Sequence, residues 1–110
     1  MENASQNALA IFRFEKVMTL DRLANLLDSS TRTAQRRLKE WHAYRSYNKN
    51  GRYYALARSA NFDASGIWTY HGILFSQHGN LRETLEYFLD HADAGLSATE
   101  LTHLLGIPRL

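Results

Sequence analysis

The sequence predicts a mainly α-helical protein that carries one small β-hairpin and ends in a pair of helices. Leucine and alanine recur at helical spacing through residues 8–41, tyrosines cluster around Asn50-Gly51, and residues 80–110 carry two helix-capping motifs. The 110 residues suffice for one domain with a hydrophobic core, or for two very small modules.

Three helices are predicted in residues 8–41. The first spans Ala8–Lys16. The second is capped by Thr19, and its apolar face consists of Leu20, Leu23, Ala24, Leu26 and Leu27. The polar residues Asp28 to Ser30 then favour a turn. The third helix extends to about Trp41, and the spacing i, i+3, i+4, i+7 places on one face Thr31, Ala34, Leu38 and Trp41.

The tyrosine-rich segment that follows predicts two strands, at about Ala43–Tyr47 and Arg52–Leu56. Asn50-Gly51 predicts a two-residue turn between them, because both residues can adopt positive φ. The four tyrosines are expected to cover the core and pair across the strands. Residues 57–66 predict a loop, and residues 67–76 either a strand or an extended segment that covers the core.

Two capped helices are predicted at the end of the chain. Asn80 with Glu83, and Ser97 with Glu100, have capping-box spacing. The apolar stripe of the first helix is predicted to be Leu81, Leu85, Phe88, Leu89 and Ala92. The stripe of the second is predicted to be Leu101, Leu104 and Leu105, before a stop at Gly106 and Pro108.

Charge is distributed unevenly along the chain. The overall net charge is only +2, but residues 29–58 hold eight cations against Glu40, a net charge of +7. The flanking segments, residues 1–28 and 59–110, carry −1 and −4. A basic block between two acidic segments indicates a localised anion-binding face.

The order of helix, helix, tight turn, basic helix and tyrosine-rich hairpin resembles the winged helix-turn-helix family. The resemblance covers Ala8 to about Leu56, and it implies a recognition helix at about Ser30–Trp41 and a wing at about Ala43–Leu56. It further implies binding of double-stranded DNA, with the recognition helix in the major groove and the wing on the backbone or minor groove. Asp28 stands where many such sequences have glycine, so we expect a turn that is one or two residues longer.

The residues support the same prediction independently. If the apolar face of the third helix meets the core, then Arg32, Arg36 and Lys39 project to the far side. Arginine can bridge guanine, glutamine can bridge adenine, and a helix N-terminus favours a phosphate. The candidate DNA-binding residues of the helix are Ser30, Thr31, Arg32, Thr33, Gln35, Arg36 and Lys39. Those of the wing are Arg45, Lys49, Asn50 and Arg52.

Other functional classes find little support. The chain has no cysteine, its five histidines show no metal-ligand spacing, and it has neither a glycine-rich phosphate loop nor a nucleophile elbow. We therefore expect no catalytic residue, no metal and no cofactor. The longest apolar run, Ala8 to Phe12, is too short to cross a bilayer, and the N-terminus lacks the features of a secretory signal, so we expect a cytoplasmic protein.

The predicted function is sequence-specific duplex-DNA binding, in a transcriptional regulator or in the DNA-recognition part of a larger machine. The alternative is a winged-helix module for protein interaction or dimerisation that does not bind DNA. The predicted organisation is a DNA-binding domain in residues 1–60, a linker or covering segment in residues 61–79, and a helical pair in residues 80–110.

The helical pair contains an echo of the first domain. The segments TLDRLANLLD from Thr19 and SATELTHLLG from Ser97 align without a gap and share a hydroxyl cap and three leucines. They are either a repeat or two similar amphipathic helices. If they are a repeat, residues 80–110 begin a second helix-turn-helix, and a further module completes it. Otherwise these helices cover their apolar stripe by docking on the first domain or on a second copy in a homodimer.

Overall fold

The computed structural model describes residues 4–92 and 95–108, so both ends of the chain lie outside the description. Within these residues there are five α-helices and two small antiparallel sheets. The helices are α1 Ala4–Glu15, α2 Leu20–Leu27, α3 Thr31–Glu40, α4 Leu81–Asp90 and α5 Ala98–Leu105. The strands are β1 Val17–Thr19, β2 Tyr44–Arg45, β3 Tyr53–Ala55, β4 Ile67–Tyr70 and β5 Ile73–Ser76. The molecule is elongated, with a long axis of 56 Å.

The first half contains a strand that the sequence did not reveal. β1 lies between α1 and α2 and pairs with β3, which gives a three-stranded sheet in the order β1-β3-β2. Lys16 takes a left-handed φ of 70° and ends α1 before the strand begins. Three residues are too few to show an alternating pattern, and so β1 was predicted as part of a connection. β structure is therefore more extensive than the single predicted hairpin.

The first hydrophobic core lies between α1, α2 and α3. Its buried members are Ala8, Phe12, Met18, Leu23, Ala24, Leu27, Ala34, Leu38 and Leu56. The predicted apolar faces of α2 and α3 are confirmed. Trp41 packs on the same core, with its ring edge-on to Phe12 at a centroid distance of 6.4 Å. α1 begins at Ala4 rather than Ala8, because its first turn carries exposed or half-buried residues and shows no apolar periodicity.

The turn between α2 and α3 is short. Asp28 takes the left-handed conformation, with φ 52° and ψ 48°. Its N–H donates to the carbonyl of Asn25, and the N–H of Ser29 donates to that of Ala24. Ser30 then caps α3, so three residues separate the helices. The expectation of a longer turn is wrong, because Asp28 itself adopts the conformation that glycine usually supplies.

The predicted two-residue turn at Asn50-Gly51 is also wrong. Tyr44 pairs with Ala55 and Arg45 with Tyr54, which leaves residues 46–52 as a loop with one 3-10 turn at Lys49–Gly51. The buried Ser46 hydroxyl fills this loop: it donates to the carbonyl of Asn48 and accepts from the N–H of Tyr53. Such internal bonds stabilise a longer loop and are not visible in the turn signature.

The second half is built on the β4–β5 hairpin, where a strand or an extended segment was predicted. His71 and Gly72 form its turn with φ values of 49° and 79°. The hairpin, α4 and α5 share a second core of Ile67, Phe88, Leu101 and Leu105. Both predicted capping boxes are confirmed, as is the left-handed stop at Gly106.

One member of the predicted α4 stripe lies on the wrong side. Leu89 is 50% exposed, whereas Thr84 is fully buried. The Thr84 hydroxyl lies 2.7 Å from both Ser76 Oγ and the carbonyl of Asn80, which satisfies it inside the core. On α5, Leu101 and Leu105 are buried and Leu104 is half-buried, so the expectation of a poorly covered stripe is wrong for two of its three leucines.

The echo between α2 and α5 extends to their backbone bonds. Each helix has eight residues, a hydroxyl N-cap and a left-handed C-cap. The N–H of Asp28 donates to Asn25 and that of Ser29 to Ala24, as those of Gly106 and Ile107 donate to His103 and Thr102. The two segments therefore share local geometry as well as leucine spacing, and a duplication origin stays a prediction.

The β2–β3 loop joins the two halves. The N–H of Tyr47 donates to the carbonyl of Leu74 over 3.0 Å, and the Tyr47 hydroxyl donates to the carbonyl of Leu105. The Asn48 amide donates to the carbonyl of Gly72 and accepts from the N–H of Leu74, each over 2.9 Å. Burial, together with the charge of Asp63, raises the pKa of Tyr47 to about 12.

The left-handed conformation of Asp28 predicts an inverted order of stability for two variants. Asp28→Gly should be more stable than Asp28→Ala by about 1 kcal/mol, because alanine meets the steric penalty of a left-handed position and glycine does not. Inside a helix the order is the reverse. Urea unfolding of both variants measures this difference, and a more stable alanine variant would show that residue 28 is helical.

The Tyr47 hydroxyl predicts a pH-dependent stability. Tyr47→Phe should lower the free energy of unfolding at neutral pH by about 1 kcal/mol through loss of one hydrogen bond. The folded protein holds the phenol proton more tightly than the unfolded chain, so this contribution is complete below pH 10 and is lost as the pH rises toward 12. Urea unfolding at a series of pH values should show the two proteins converging. A gap that stays constant across this range would contradict the junction.

Candidate nucleic-acid interface

α3 presents a polar face on the side opposite the first core. Its buried residues are Ala34 and Leu38, which pack against α2. The exposed candidate residues are Thr31, Arg32, Gln35, Arg36 and Lys39, and Thr33 is half-buried. The predicted orientation of this helix is therefore confirmed, and the contact of these residues with DNA stays a prediction.

The cations of α3 fall into two groups. Arg37 forms an ion pair with Glu40, with 2.9 Å between Nη1 and Oε2, and its Nε is buried without a hydrogen-bond partner among the described residues. The remaining cations of the helix, Arg32, Arg36 and Lys39, form no ion pair within the described part of the chain. The exposed face of α3 therefore carries positive charge that no neighbouring carboxylate compensates.

The hydroxyls at the N-terminus of α3 have a structural task. Ser30 Oγ accepts from the N–H of Thr33 over 3.2 Å and donates to Thr33 Oγ1 over 3.3 Å. This bond satisfies one of the free N–H groups of the first turn. Ser30 and Thr33 thus stabilise the helix end, while the neighbouring Thr31 side chain is exposed.

The β2–β3 loop holds the other four candidate residues, and Arg45 is partly committed within it. Its Nε donates to the carbonyl of Gly51 over 2.6 Å, and its guanidinium lies 5.8 Å from the centre of the Tyr54 ring. Gly51 has a left-handed φ of 64°, and a Cβ there would come within 2.8 Å of Arg45 Nε. Arg45 therefore braces the loop, while Lys49, Asn50 and Arg52 are exposed.

A groove of about 550 Å³ runs between this loop and the start of α2. The loop contributes Arg45, Asn50 and Arg52, and the beginning of α2 contributes Thr19, Leu20 and Asp21. The pairing of β1 with β3 brings these segments together, because α2 follows β1 directly. Three of the four loop candidates thus share one concave surface, and Lys49 does not line it.

The sequence reasoning missed the α2 side of this groove. Its position depends on β1, which is too short to show a pattern. It also missed Asn48 and Tyr47, whose partners lie far along the chain in β5 and α5. Contacts between such distant segments leave no local signal in one sequence.

Other kinds of site are not evident in residues 4–92 and 95–108. They contain no group of three or more histidine, aspartate or glutamate side chains placed to hold a metal ion. Their helices are also too short and too polar to cross a membrane.

Comparisons with family models, with curated proteins and with solved structures find no match to this chain. The arrangement of its own residues therefore carries the functional argument.

Proposed function

We propose that residues 4–56 form a winged helix-turn-helix domain that binds duplex DNA with sequence preference. In this proposal α3 is the recognition helix and the β2–β3 loop is the wing. The protein acts as a transcriptional regulator, or as the DNA-recognition part of a larger machine.

One observation carries the proposal. Of the eight cations in residues 29–58, Arg37 alone forms an ion pair within the described part of the chain. Exposed arginines and lysines on a folded surface commonly have carboxylates near them, and here the carboxylates lie mostly in the second half. A helix and a loop that both keep uncompensated positive charge suit a polyanion.

The recognition helix supplies groups that distinguish bases. Arg32 and Arg36 lie four residues apart on the exposed face, and each can donate two hydrogen bonds to guanine O6 and N7. Gln35 can pair with adenine in the same manner. Ala34 and Leu38 hold the helix on α2, so these side chains reach into the major groove from a rigid support.

The wing supplies general affinity. Lys49 and Arg52 are exposed, and their charges can neutralise phosphates without reading bases. Arg45 keeps the wing in shape through Gly51 and Tyr54, so it contributes mainly through the loop conformation.

A second candidate is a protein-interaction or dimerisation module without DNA binding. Phe14, on the outer side of α1, is 88% exposed, and Leu89 on the acidic α4 is 50% exposed. Exposed apolar side chains of this size are frequent at protein interfaces. A module of this kind would bind no duplex at moderate salt, which separates it from the first proposal.

The division of roles predicts different behaviour for two variants. Arg36→Ala should weaken binding to a preferred site by about 1–3 kcal/mol and relax the preference at one base pair. Lys49→Ala should weaken binding to all duplexes alike. Gel-shift titrations on random DNA and on a site selected from a randomised library measure both effects. Equal losses on the two DNAs for both variants would contradict the division.

A further inference from the structure

We infer that the β4–β5 hairpin is a second DNA-contacting element, held beside the wing so that His71 and Thr69 contact the sugar-phosphate backbone of the same duplex. This inference rests on the proposed function and extends it to residues 67–76. The sequence predicted them only as part of a linker or covering segment.

The first step is the fixed position of the hairpin. Both polar groups of the Asn48 side chain bind its turn: the amide donates to the carbonyl of Gly72, and the carbonyl oxygen accepts from the N–H of Leu74. The adjacent Tyr47 N–H donates to the carbonyl of Leu74. Because Asn48 directly precedes Lys49 at the tip of the wing, the two tips are neighbours, and a duplex that contacts one lies close to the other.

The second step is the chemistry of the exposed tip. Thr69, His71 and Gly72 are exposed, whereas Tyr70 and Ile73 on either side are half-buried. A threonine hydroxyl and a histidine ring can each donate to a phosphate oxygen. The edge of the His71 ring packs on Tyr70 at a centroid distance of 4.4 Å, which restricts the orientation of the imidazole.

The third step is electrostatic. The sequence has no carboxylate between Asp63 and Glu83, so the whole hairpin lacks the charge that would repel a phosphate. Asp63 itself is committed, since its Oδ1 accepts from the N–H groups of Ser65 and Ile67 over 2.8 and 3.1 Å. The acidic residues of the second half start at α4, behind the hairpin in the chain. The wing and the hairpin therefore form one continuous surface that tolerates a polyanion.

The backbone of the tip permits a clean substitution. His71 occupies a left-handed position with φ 49°, where asparagine is well tolerated and an Asn-Gly pair is the preferred turn sequence. His71→Asn thus removes the imidazole and keeps the turn. The matched control is His103→Asn, the same change at an exposed position on α5.

Hydroxyl-radical footprinting and gel-shift titration on a selected duplex test the inference. His71→Asn should lose protection at backbone positions next to those covered by the wing and should bind roughly three- to tenfold more weakly, the range for one lost hydrogen bond. Its base preference should be unchanged, because α3 is intact. His103→Asn should behave as wild type, and thermal unfolding checks that both variants are folded.

A second variant tests the link to the wing. Asn48→Ala should lose protection at the same backbone positions although His71 is present. If both variants keep the wild-type footprint and affinity, the hairpin does not contact DNA and the inference is overturned, while the proposed function stands. If the wild-type protein binds no duplex, the proposed function itself fails and the inference falls with it.

Discussion

The packing of α3 against α2 determines which side of the basic helix meets the solvent. Ala34 and Leu38 lie in the first core with Ala24 and Leu27, and the small alanines allow the two helix axes to approach closely. With that face buried, Arg32, Arg36 and Lys39 must project outward. The three-residue turn at Asp28 to Ser30 sets the angle between the helices, and the left-handed Asp28 keeps it short. The rest of the proposed interface depends on this arrangement.

Much of this arrangement could be predicted from the sequence, because it follows from local rules. The caps at Thr19, Ser30, Asn80 and Ser97, and the stripes of α2 and α3, appear as fixed spacings within ten residues. Side chains that depend on distant partners could not be predicted. Thr84 is buried because Ser76 and Asn80 accept and donate around it, and Leu89 is exposed because no element covers that side of α4.

The candidate site shows the same division. The exposed face of α3 was predictable from helical periodicity, since the position of the core face fixes the opposite one. The groove at the start of α2 was not, because it requires β1 to pair with β3 across more than thirty residues of chain. The neighbourhood of the wing and the second hairpin was not predictable either. It depends on the Asn48 side chain and on residues more than twenty positions away.

The distribution of charge connects the two halves in function. The basic block faces outward on α3 and on the wing, the β4–β5 hairpin next to it contains no carboxylate, and the acidic residues collect on α4 and α5. A polyanion is attracted to the first region and repelled by the last, which favours one orientation of the elongated molecule on DNA. The acidic helices and the exposed Leu89 then face away from the duplex and are available to other proteins.

The most direct test of this account is the salt dependence of duplex affinity. Each phosphate that a cation neutralises releases counterions, so the logarithm of the binding constant falls linearly with the logarithm of salt concentration, with a slope of about −0.9 per contact. The exposed cations Arg32, Arg36, Lys39, Lys49 and Arg52 predict a slope of roughly −4 to −5. Fluorescence-anisotropy titrations between low and physiological salt measure it. Affinity that is insensitive to salt, or no binding to duplex DNA even at low salt, would contradict the account.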